Sequence, residues 1–418
     1  MSFAKNLKCT HCAREYELLQ PINLCPSCQR PLEIQLDLDR LATEKKDFNW
    51  YRPDINSMWR FGSLLALDIN DADDARFILS LGEGHTPMLP LSRNACANQH
   101  GFQLFLKDEG KAHTGSDQIF GANPTASFKD RGMSMAVSMA RKLGIKKLVV
   151  PTQGNAGDSL AEYAMKADME VVVIMPDDTP MPILGRVAAL DRLHENVTLE
   201  LVKGTIREAG ALMKEKYLPQ GYFNVATFQE PGWRIEGKKT LGLELAETEH
   251  FGQWQLPDVV IYPTGGGTGI LGMWKAFDEL EALGIIGSKR PRCIAVQSEQ
   301  TSPVVSAFEN GAEDTTARDP GITLATGLNV PGGVGHMKVL DIIRDSKGAG
   351  IAVTEEAIAS NLSQIYHDYG IWICPEGAAT VAALESAVEK GLIQQGDNVV
   401  VFNTGSFEKY LPNVKTLL

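Results

Sequence analysis

The chain has 418 residues, 44% hydrophobic and 22% charged, and a formal net charge of −12. These values are typical of a soluble globular protein of two or three domains, and the acidic balance argues against a nucleic-acid partner, because phosphate binding needs clustered Lys and Arg. The sequence lacks the run of about 18 apolar residues that a membrane helix requires. No signal peptide is visible, and seven cysteines, an odd number, suit a reducing compartment, so we expect a cytoplasmic protein.

The first predicted unit, residues 1–36, contains the cysteine pairs Cys9-Thr-His-Cys12 and Cys25-Pro-Ser-Cys28. Two CxxC pairs at this spacing suit four thiolates that converge on one zinc ion, and a closed four-cysteine site has a structural role. We therefore predict a zinc ribbon with the ligands Cys9, Cys12, Cys25 and Cys28. A nucleic-acid-binding ribbon is the alternative, which the acidic charge and the lack of a basic run disfavour.

From residue 101 onward, short β-branched runs alternate with amphipathic segments of helical period. Near-continuous apolar strands indicate sheets buried on both faces, and helices between them indicate parallel crossovers. The strand candidates include Lys147–Val150, Glu170–Ile174, Thr198–Val202, Asp258–Tyr262, Cys293–Val296 and Asn398–Phe402. The helix candidates include Ser127–Leu143, Arg234–Glu249, Gly269–Leu283 and Thr354–Tyr369. The predicted fold class is α/β, with two open, twisted, mostly parallel sheets flanked by helices, because a single domain rarely grows to this length.

Two polar turns in this region carry residue types found in active sites. Asn123-Pro-Thr-Ala-Ser-Phe-Lys129-Asp-Arg-Gly132 places a lysine at the start of a predicted helix. A lysine that reacts as a nucleophile near neutral pH needs partial desolvation, whereas a lone lysine is more often a surface residue. Pro151-Thr-Gln-Gly-Asn155-Ala-Gly-Asp-Ser159 follows a predicted strand and opens a helix. Its backbone N–H groups can bind a carboxylate, or the segment can be an ordinary capped loop.

A glycine-rich turn and a threonine at a strand end complete the set of motifs. In Thr264-Gly-Gly-Gly-Thr-Gly269, the glycines let backbone N–H groups approach a phosphate closely, and the following helix favours its negative charge. The turn has neither the lysine of a P-loop nor the spacing of a dinucleotide-binding turn. Thr404 follows a predicted strand, at the edge where α/β folds bind ligands; a threonine that only terminates the strand is the alternative.

In order and spacing, these motifs resemble the tryptophan-synthase-like, fold type II, pyridoxal-phosphate enzymes, and threonine synthases among them. The resemblance also includes Gly82-Glu-Gly-His-Thr-Pro87, Arg234-Ile-Glu-Gly-Lys-Lys-Thr240 and Glu376-Gly-Ala-Ala379, and it covers nearly the whole chain. The lysine motif and the Arg-Ile-Glu-Gly segment are its most specific parts. The second of these favours threonine synthases over dehydratases.

The resemblance implies pyridoxal 5'-phosphate as cofactor and assigns roles to matching residues. Lys129 would be the catalytic lysine that holds the cofactor as a Schiff base. Asn155 would bond the cofactor's phenolic oxygen, and Thr404 would face its pyridine nitrogen. Its phosphate would be bound by Gly265, Gly266, Gly267, Thr268 and Gly269. The substrate would be bound by Ser127, Thr152, Gln153, Gly154, Asn155, Ala156, Arg234 and Lys239. The candidates for its phosphate are Arg234, Lys238 and Lys239, although two adjacent lysines are also typical of a solvated helix face.

The resemblance also implies the domains and the reaction. Residues 1–36 would form the zinc ribbon, residues 37–110 and 225–418 a large cofactor-binding α/β domain, and residues 111–224 a small α/β domain that carries the substrate-carboxylate loop. The enzyme would be a carbon–oxygen lyase that converts O-phospho-L-homoserine and water to L-threonine and phosphate. We expect a small amino-acid substrate and neither a nucleic-acid nor a membrane partner; a homodimer is one assembly that the sequence leaves open.

Two alternatives remain at this point. The same scaffold can carry a serine/threonine ammonia-lyase or a β-replacement enzyme of the cysteate-synthase kind, and an ammonia-lyase would need no second anion site beside the cofactor. From a different class, the chain can be a zinc-ribbon interaction protein with a catalytically dead enzyme domain. The intact Lys129 and glycine turn argue against that second alternative.

Overall fold

A computed structural model describes residues 2–44, 50–111, 121–247 and 252–415. The strands are β1 Ala4–Cys9, β2 Glu15–Glu17, β3 Leu32–Leu36, β4 Met88–Pro90, β5 Gln103–Asp108, β6 Lys147–Pro151, β7 Glu170–Pro176, β8 Val197–Val202, β9 Phe223–Asn224, β10 Val259–Pro263, β11 Arg292–Ser298, β12 Ala349–Val353 and β13 Asn398–Asn403. The α-helices are α1 Leu38–Glu44, α2 Ala72–Ala75, α3 Ala95–His100, α4 Lys129–Lys142, α5 Asn155–Lys166, α6 Met181–Leu193, α7 Ile206–Leu212, α8 Trp233–Ala246, α9 Thr268–Ala282, α10 Pro303–Glu309, α11 His336–Asp345, α12 Glu355–Tyr369, α13 Pro375–Ala382, α14 Leu384–Glu389 and α15 Leu411–Val414.

The predicted strands and helices are confirmed close to their expected bounds. The helix expected over Arg234–Glu249 is α8, which ends at Ala246, and the last two expected residues, 248 and 249, lie outside the described residues. Helix α4 begins two residues after the expected Ser127, at Lys129 itself. In the described residues, no helix is both long and apolar enough to span a bilayer.

The chain forms two compact units. The first, Met1–His85 and Ala112–Thr240, contains a parallel four-stranded sheet of order β8-β7-β6-β9 and an antiparallel three-stranded sheet of order β2-β1-β3. In the four-stranded sheet, Val149 and Val172 pack against Met213 and Tyr217. Strand β7 is buried along almost its whole length and β6 at its three central residues, which explains their apolar sequences.

The second unit, Thr86–Lys111 and Leu241–Leu418, contains a six-stranded sheet of order β12-β11-β10-β13-β5-β4. All neighbouring strands are parallel except β4, which pairs antiparallel with β5 at the edge. The prediction of two mostly parallel sheets flanked by helices is therefore confirmed. The predicted domain bounds stay a prediction.

Candidate active site

Lys129 is the first residue of α4 and follows a turn with an uncommon backbone conformation. Ala126 has φ 56°, in the left-handed region that residues with a side chain rarely adopt. Ser127 Oγ accepts a 3.4 Å hydrogen bond from the Lys129 N–H. Lys129 Nζ lies 4.2 Å from the centre of the Phe128 ring. The lysine is half-buried, so its ammonium group is partly desolvated against an aromatic face.

A buried carboxylate ties this turn to helix α5. Asp130 accepts hydrogen bonds from the Thr125 N–H at 2.7 Å, the Thr125 hydroxyl at 2.6 Å and the Ser159 hydroxyl at 2.6 Å. Ser159 belongs to α5, which begins at Asn155. The structure therefore brings together, in one unit, the turn that carries Lys129 and the helix that carries Asn155.

The predicted carboxylate loop, residues 152–156, connects β6 to α5. Thr152 Oγ1 accepts a 3.1 Å hydrogen bond from the Gly154 N–H, which fixes the bend. Gly154 precedes α5 with an extended backbone and has no side chain that could cap the helix. No capping side chain therefore competes with an anion for the first-turn N–H groups of α5. Gln153 is exposed, whereas Asn155 and Ala156 are buried.

A second lysine lies on the same aromatic ring as Lys129. Lys238 Nζ, on α8, is 4.8 Å from the centre of the Phe128 ring. Helices α4 and α8 approach each other closely at Gly237, where a Cβ would lie only 2.1 Å from the Arg131 carbonyl oxygen. The absence of a side chain at Gly237 permits this approach. Burial holds the pKa of Lys238 well below its usual range, and the positive charges of Lys129 and Arg234 lower it further.

Arg234 is fully buried one turn before Lys238. Its Nη1 donates to the Val225 carbonyl at 3.1 Å, and its backbone N–H donates to Glu230 Oε2 at 3.1 Å. Among the described residues, its Nε and Nη2 have no hydrogen-bond partner. Burial lowers the pKa of Arg234 to about 10, against the attraction of Glu230, so it stays cationic at neutral pH. Two guanidinium donors are thus available to an anion.

Lys239, the other residue predicted to bind the substrate phosphate, has a carboxylate partner on its own helix. Its Nζ lies 2.6 Å from Glu236 Oε1, and both side chains are fully buried. A buried ion pair of this kind holds α8 together as long as both partners are present. The structure thus distinguishes Lys239, which faces Glu236, from Lys238, which lies beside Lys129.

The predicted phosphate loop, residues 264–269, connects β10 to α9 in the second unit, and it depends on its glycines. Gly267 has φ 88°, and a Cβ there would lie 2.3 Å from Val339 Cγ2. A Cβ on Gly269 would lie 2.1 Å from the Tyr262 hydroxyl. Gly267 precedes α9 with no side-chain cap, so the first-turn N–H groups and the helix dipole suit a phosphate.

Two side chains absent from the sequence-based set support this loop. The fully buried His336 has Nε2 2.9 Å from the Gly265 carbonyl oxygen and Nδ1 3.0 Å from the Thr315 hydroxyl. Burial lowers the pKa of His336, which favours a neutral ring that donates to the carbonyl. The buried Glu376 accepts from the Gly327 N–H at 2.7 Å, and a Cβ on Gly265 would lie 2.5 Å from the Gly327 carbonyl oxygen.

Thr404 directly follows β13 and is buried in the second unit. The preceding Asn403 donates to Asp108 Oδ1 at 2.8 Å and accepts from the Cys374 N–H at 2.9 Å. Cys374 Sγ lies 3.8 Å from Thr404 Oγ1. The threonine hydroxyl is therefore held between the end of a buried strand and the first turn of α13, as is suitable for a group that faces a ligand ring.

The four cysteines of the ribbon converge as a metal site requires. Their Sγ atoms lie within 4.8 Å of one another. The Cys9–Cys28 and Cys12–Cys25 sulfur distances are 3.4 and 3.6 Å. Zn–S bonds of about 2.3 Å in a tetrahedron separate the sulfur atoms by about 3.8 Å, so this donor set fits zinc.

The similarity of this chain to known proteins agrees with the geometry. Residues 79–405 match the family described as "Pyridoxal-phosphate dependent enzyme". The chain is 30% identical to a threonine synthase of Methanosarcina acetivorans, over 97% of this chain and 92% of that protein, and 29% identical to one of Methanocaldococcus jannaschii, over 95% and 91%. Its fold is similar to that of diaminopropionate ammonia lyase from Escherichia coli, with a TM-score of 0.63 and 18% identity, over 82% of this chain and 90% of that one. The chain belongs to the pyridoxal-phosphate dependent enzymes and, among them, to the threonine synthase family.

Proposed function

We propose that this enzyme converts O-phospho-L-homoserine and water to L-threonine and phosphate. One observation carries the choice of substrate: the buried guanidinium group of Arg234 has two atoms without a partner among the described residues, and Lys238, beside Lys129, follows one turn later on α8. An uncharged substrate such as serine offers these guanidinium donors no anionic acceptor. A substrate phosphate can accept their hydrogen bonds, which charge assistance strengthens.

The proposed roles divide between the two units. In the first, Lys129 holds the cofactor and, once released by the substrate amine, moves protons at Cα and Cβ. The 152–156 loop binds the substrate carboxylate, and Asn155 bonds the cofactor's phenolic oxygen. In the second unit, the glycine loop binds the cofactor phosphate and Thr404 faces the pyridine nitrogen.

The cofactor, when bound, withdraws electrons from the bonds at the substrate α carbon. Thr404 would offer the ring nitrogen a hydroxyl and not a carboxylate, which would leave that nitrogen less protonated and the electron withdrawal milder. This suits elimination of phosphate from Cγ and addition of water at Cβ. The proposed role of Ser127 is to bind the substrate: its hydroxyl accepts a hydrogen bond from the Lys129 backbone N–H and is thereby fixed within the turn that carries the lysine.

The experiment that tests this function compares three substrates on the purified enzyme. We expect stoichiometric phosphate and L-threonine from O-phospho-L-homoserine, and a kcat/KM for serine and for threonine lower by about 10³-fold or more, because those substrates leave buried donors unpaired. Comparable turnover of serine or threonine to a keto acid, without phosphate release from O-phospho-L-homoserine, would instead make the protein an ammonia-lyase.

We also propose that Cys9, Cys12, Cys25 and Cys28 hold one structural zinc ion. The convergence of their sulfur atoms and the burial of Cys9 and Cys25 support this. We expect elemental analysis to give one zinc per chain, and Cys25→Ser to lose it and to lower the Tm. As a control, Cys293→Ser, at a buried cysteine outside the group, should keep the metal. An enzyme that is purified in its native state without metal, and whose four thiols all react freely, would contradict the proposal.

The cytoplasmic location and the homodimer stay predictions.

A further inference from the structure

The cysteine ribbon is bonded to the segment of residues 224–232, which leads into α8. Asn23 lies two residues before Cys25, and its side-chain Nδ2 donates to two carbonyl oxygens of that segment. The acceptors are Asn224 at 2.9 Å and Gln229 at 2.6 Å. One amide group therefore bonds to the first and the last residue of a six-residue turn, residues 224–229.

A close backbone approach makes a second connection. Gly232 has φ 76°, and a Cβ there would lie 2.7 Å from the Leu32 carbonyl oxygen and 3.0 Å from the Glu33 Cα. The backbone of strand β3 is thus in direct contact with Gly232, the last residue of the 224–232 segment. A larger residue at position 232 would separate the two, besides being strained at this φ.

The turn that Asn23 closes is a strained one. Phe228, the fifth of its six residues, has φ 63° and is buried. A bulky residue in the left-handed region costs about 1–3 kcal/mol and persists only where surrounding contacts enforce it. The two hydrogen bonds from Asn23 are contacts of this kind, because they fix the carbonyl groups on either side of Phe228.

The same segment fixes Arg234. Its Nη1 is bonded to the Val225 carbonyl, the residue after Asn224, and its N–H is bonded to Glu230, the residue after Gln229. Asn23 thus bonds to Asn224 and Gln229, and Arg234 bonds to the residue that follows each of them in the sequence. A shift of the turn would move the Val225 carbonyl, which accepts from the guanidinium group, and Glu230, which accepts from the backbone N–H of Arg234.

We propose that Asn23 is a positioning residue, through which the cysteine ribbon sets the orientation of Arg234 and thereby the affinity for the substrate phosphate. The part of this inference that concerns the substrate rests on the proposed function. The ribbon would then do more than stabilise its own fold: metal at Cys25 would fix Asn23, and Asn23 would fix the 224–232 turn.

The test compares Asn23→Ala with Asn6→Ala, a matched control whose amide donates to Glu15 within the ribbon itself. In the cofactor-loaded enzyme, we expect Asn23→Ala to speed amide hydrogen exchange of residues 224–234 by about tenfold, because the turn opens more easily once its closing bonds are lost. The KM for O-phospho-L-homoserine should rise by about 3- to 10-fold, with kcat, zinc content and the cofactor absorption unchanged. Asn6→Ala should change none of these.

Asn23→Ser, which keeps a single donor on a shorter side chain, should give a smaller effect and serves if the alanine variant folds poorly. Unchanged exchange of residues 224–234 in the Asn23 variants would overturn the inference, whatever the activity. Suppose that the Asn23 variants exchange faster but keep the wild-type KM, whereas Arg234→Met raises the KM. That result would overturn the link between Asn23 and substrate affinity. If the KM does not rise in Arg234→Met either, the proposed phosphate site fails, and the exchange result alone decides whether Asn23 holds the turn.

Discussion

Replacing Lys129 with alanine is expected to abolish the covalent attachment of the cofactor and to lower turnover by about 10³-fold or more. The wild-type enzyme should absorb in the near-visible range, and borohydride should fix the cofactor to the peptide that contains residue 129. Lys129→Arg keeps the positive charge beside Phe128 but offers no amine that can form the link, so it should lose both properties equally.

The structure supplies a rigorous control for this experiment. Lys238 lies on the same ring as Lys129, and its lowered pKa makes its amine the most plausible rival nucleophile. In Lys238→Met, borohydride should still fix the cofactor to residue 129, at a similar yield. A label found on Lys238 of the wild-type enzyme would reverse the assignment of the catalytic lysine.

The elements that bury both faces of a sheet could be predicted from the sequence. Strands such as β7 and β13 are continuous apolar runs, and their period differs clearly from that of α4 and α9. Two short edge strands carry no such signal: β4, which pairs antiparallel with β5, and the two-residue β9, which pairs with β6 in the other sheet. Short edge strands are defined by their partners and not by their own composition.

Among the site residues, too, some could be predicted from a local motif and others could not. Lys129, the glycine loop and the cysteines stand in local motifs, where a turn and a helix start constrain the sequence. Nothing local distinguishes Lys238 from Lys239: the difference arises because Gly237 lets α8 approach α4, which brings one lysine to Phe128 and leaves the other beside Glu236. His336 supports the phosphate loop from a position far along the chain, which no spacing within the loop could reveal.

Asn23 illustrates the same limit. In the sequence it is one polar residue in a loop between two cysteine pairs, where asparagine is common in turns. Its two acceptors lie about 200 residues away in the sequence. Only the packing of the ribbon on the 224–232 segment gives that side chain a role.

Replacing Arg234 with methionine is expected to raise the KM for O-phospho-L-homoserine by about 10²-fold, while the KM for serine changes little. Methionine fills much of the same space without charge, so the variant removes the guanidinium donors with a limited cavity. Loss of charged hydrogen bonds costs about 3 kcal/mol, which corresponds to that change in affinity. Initial rates over a range of each substrate concentration give both constants.

Two further variants separate charge, geometry and stability at this site. Arg234→Lys keeps the charge but not the planar fork of donors, so its KM should lie between those of the wild type and the methionine variant. Lys239→Met leaves the buried Glu236 carboxylate without its ammonium partner. It should therefore lower the Tm markedly, because breaking a buried ion pair costs about 3–5 kcal/mol, with a smaller effect on KM. An equal rise of KM for serine and for the phosphorylated substrate in Arg234→Met would show that Arg234 supports the structure of α8 and binds no substrate phosphate.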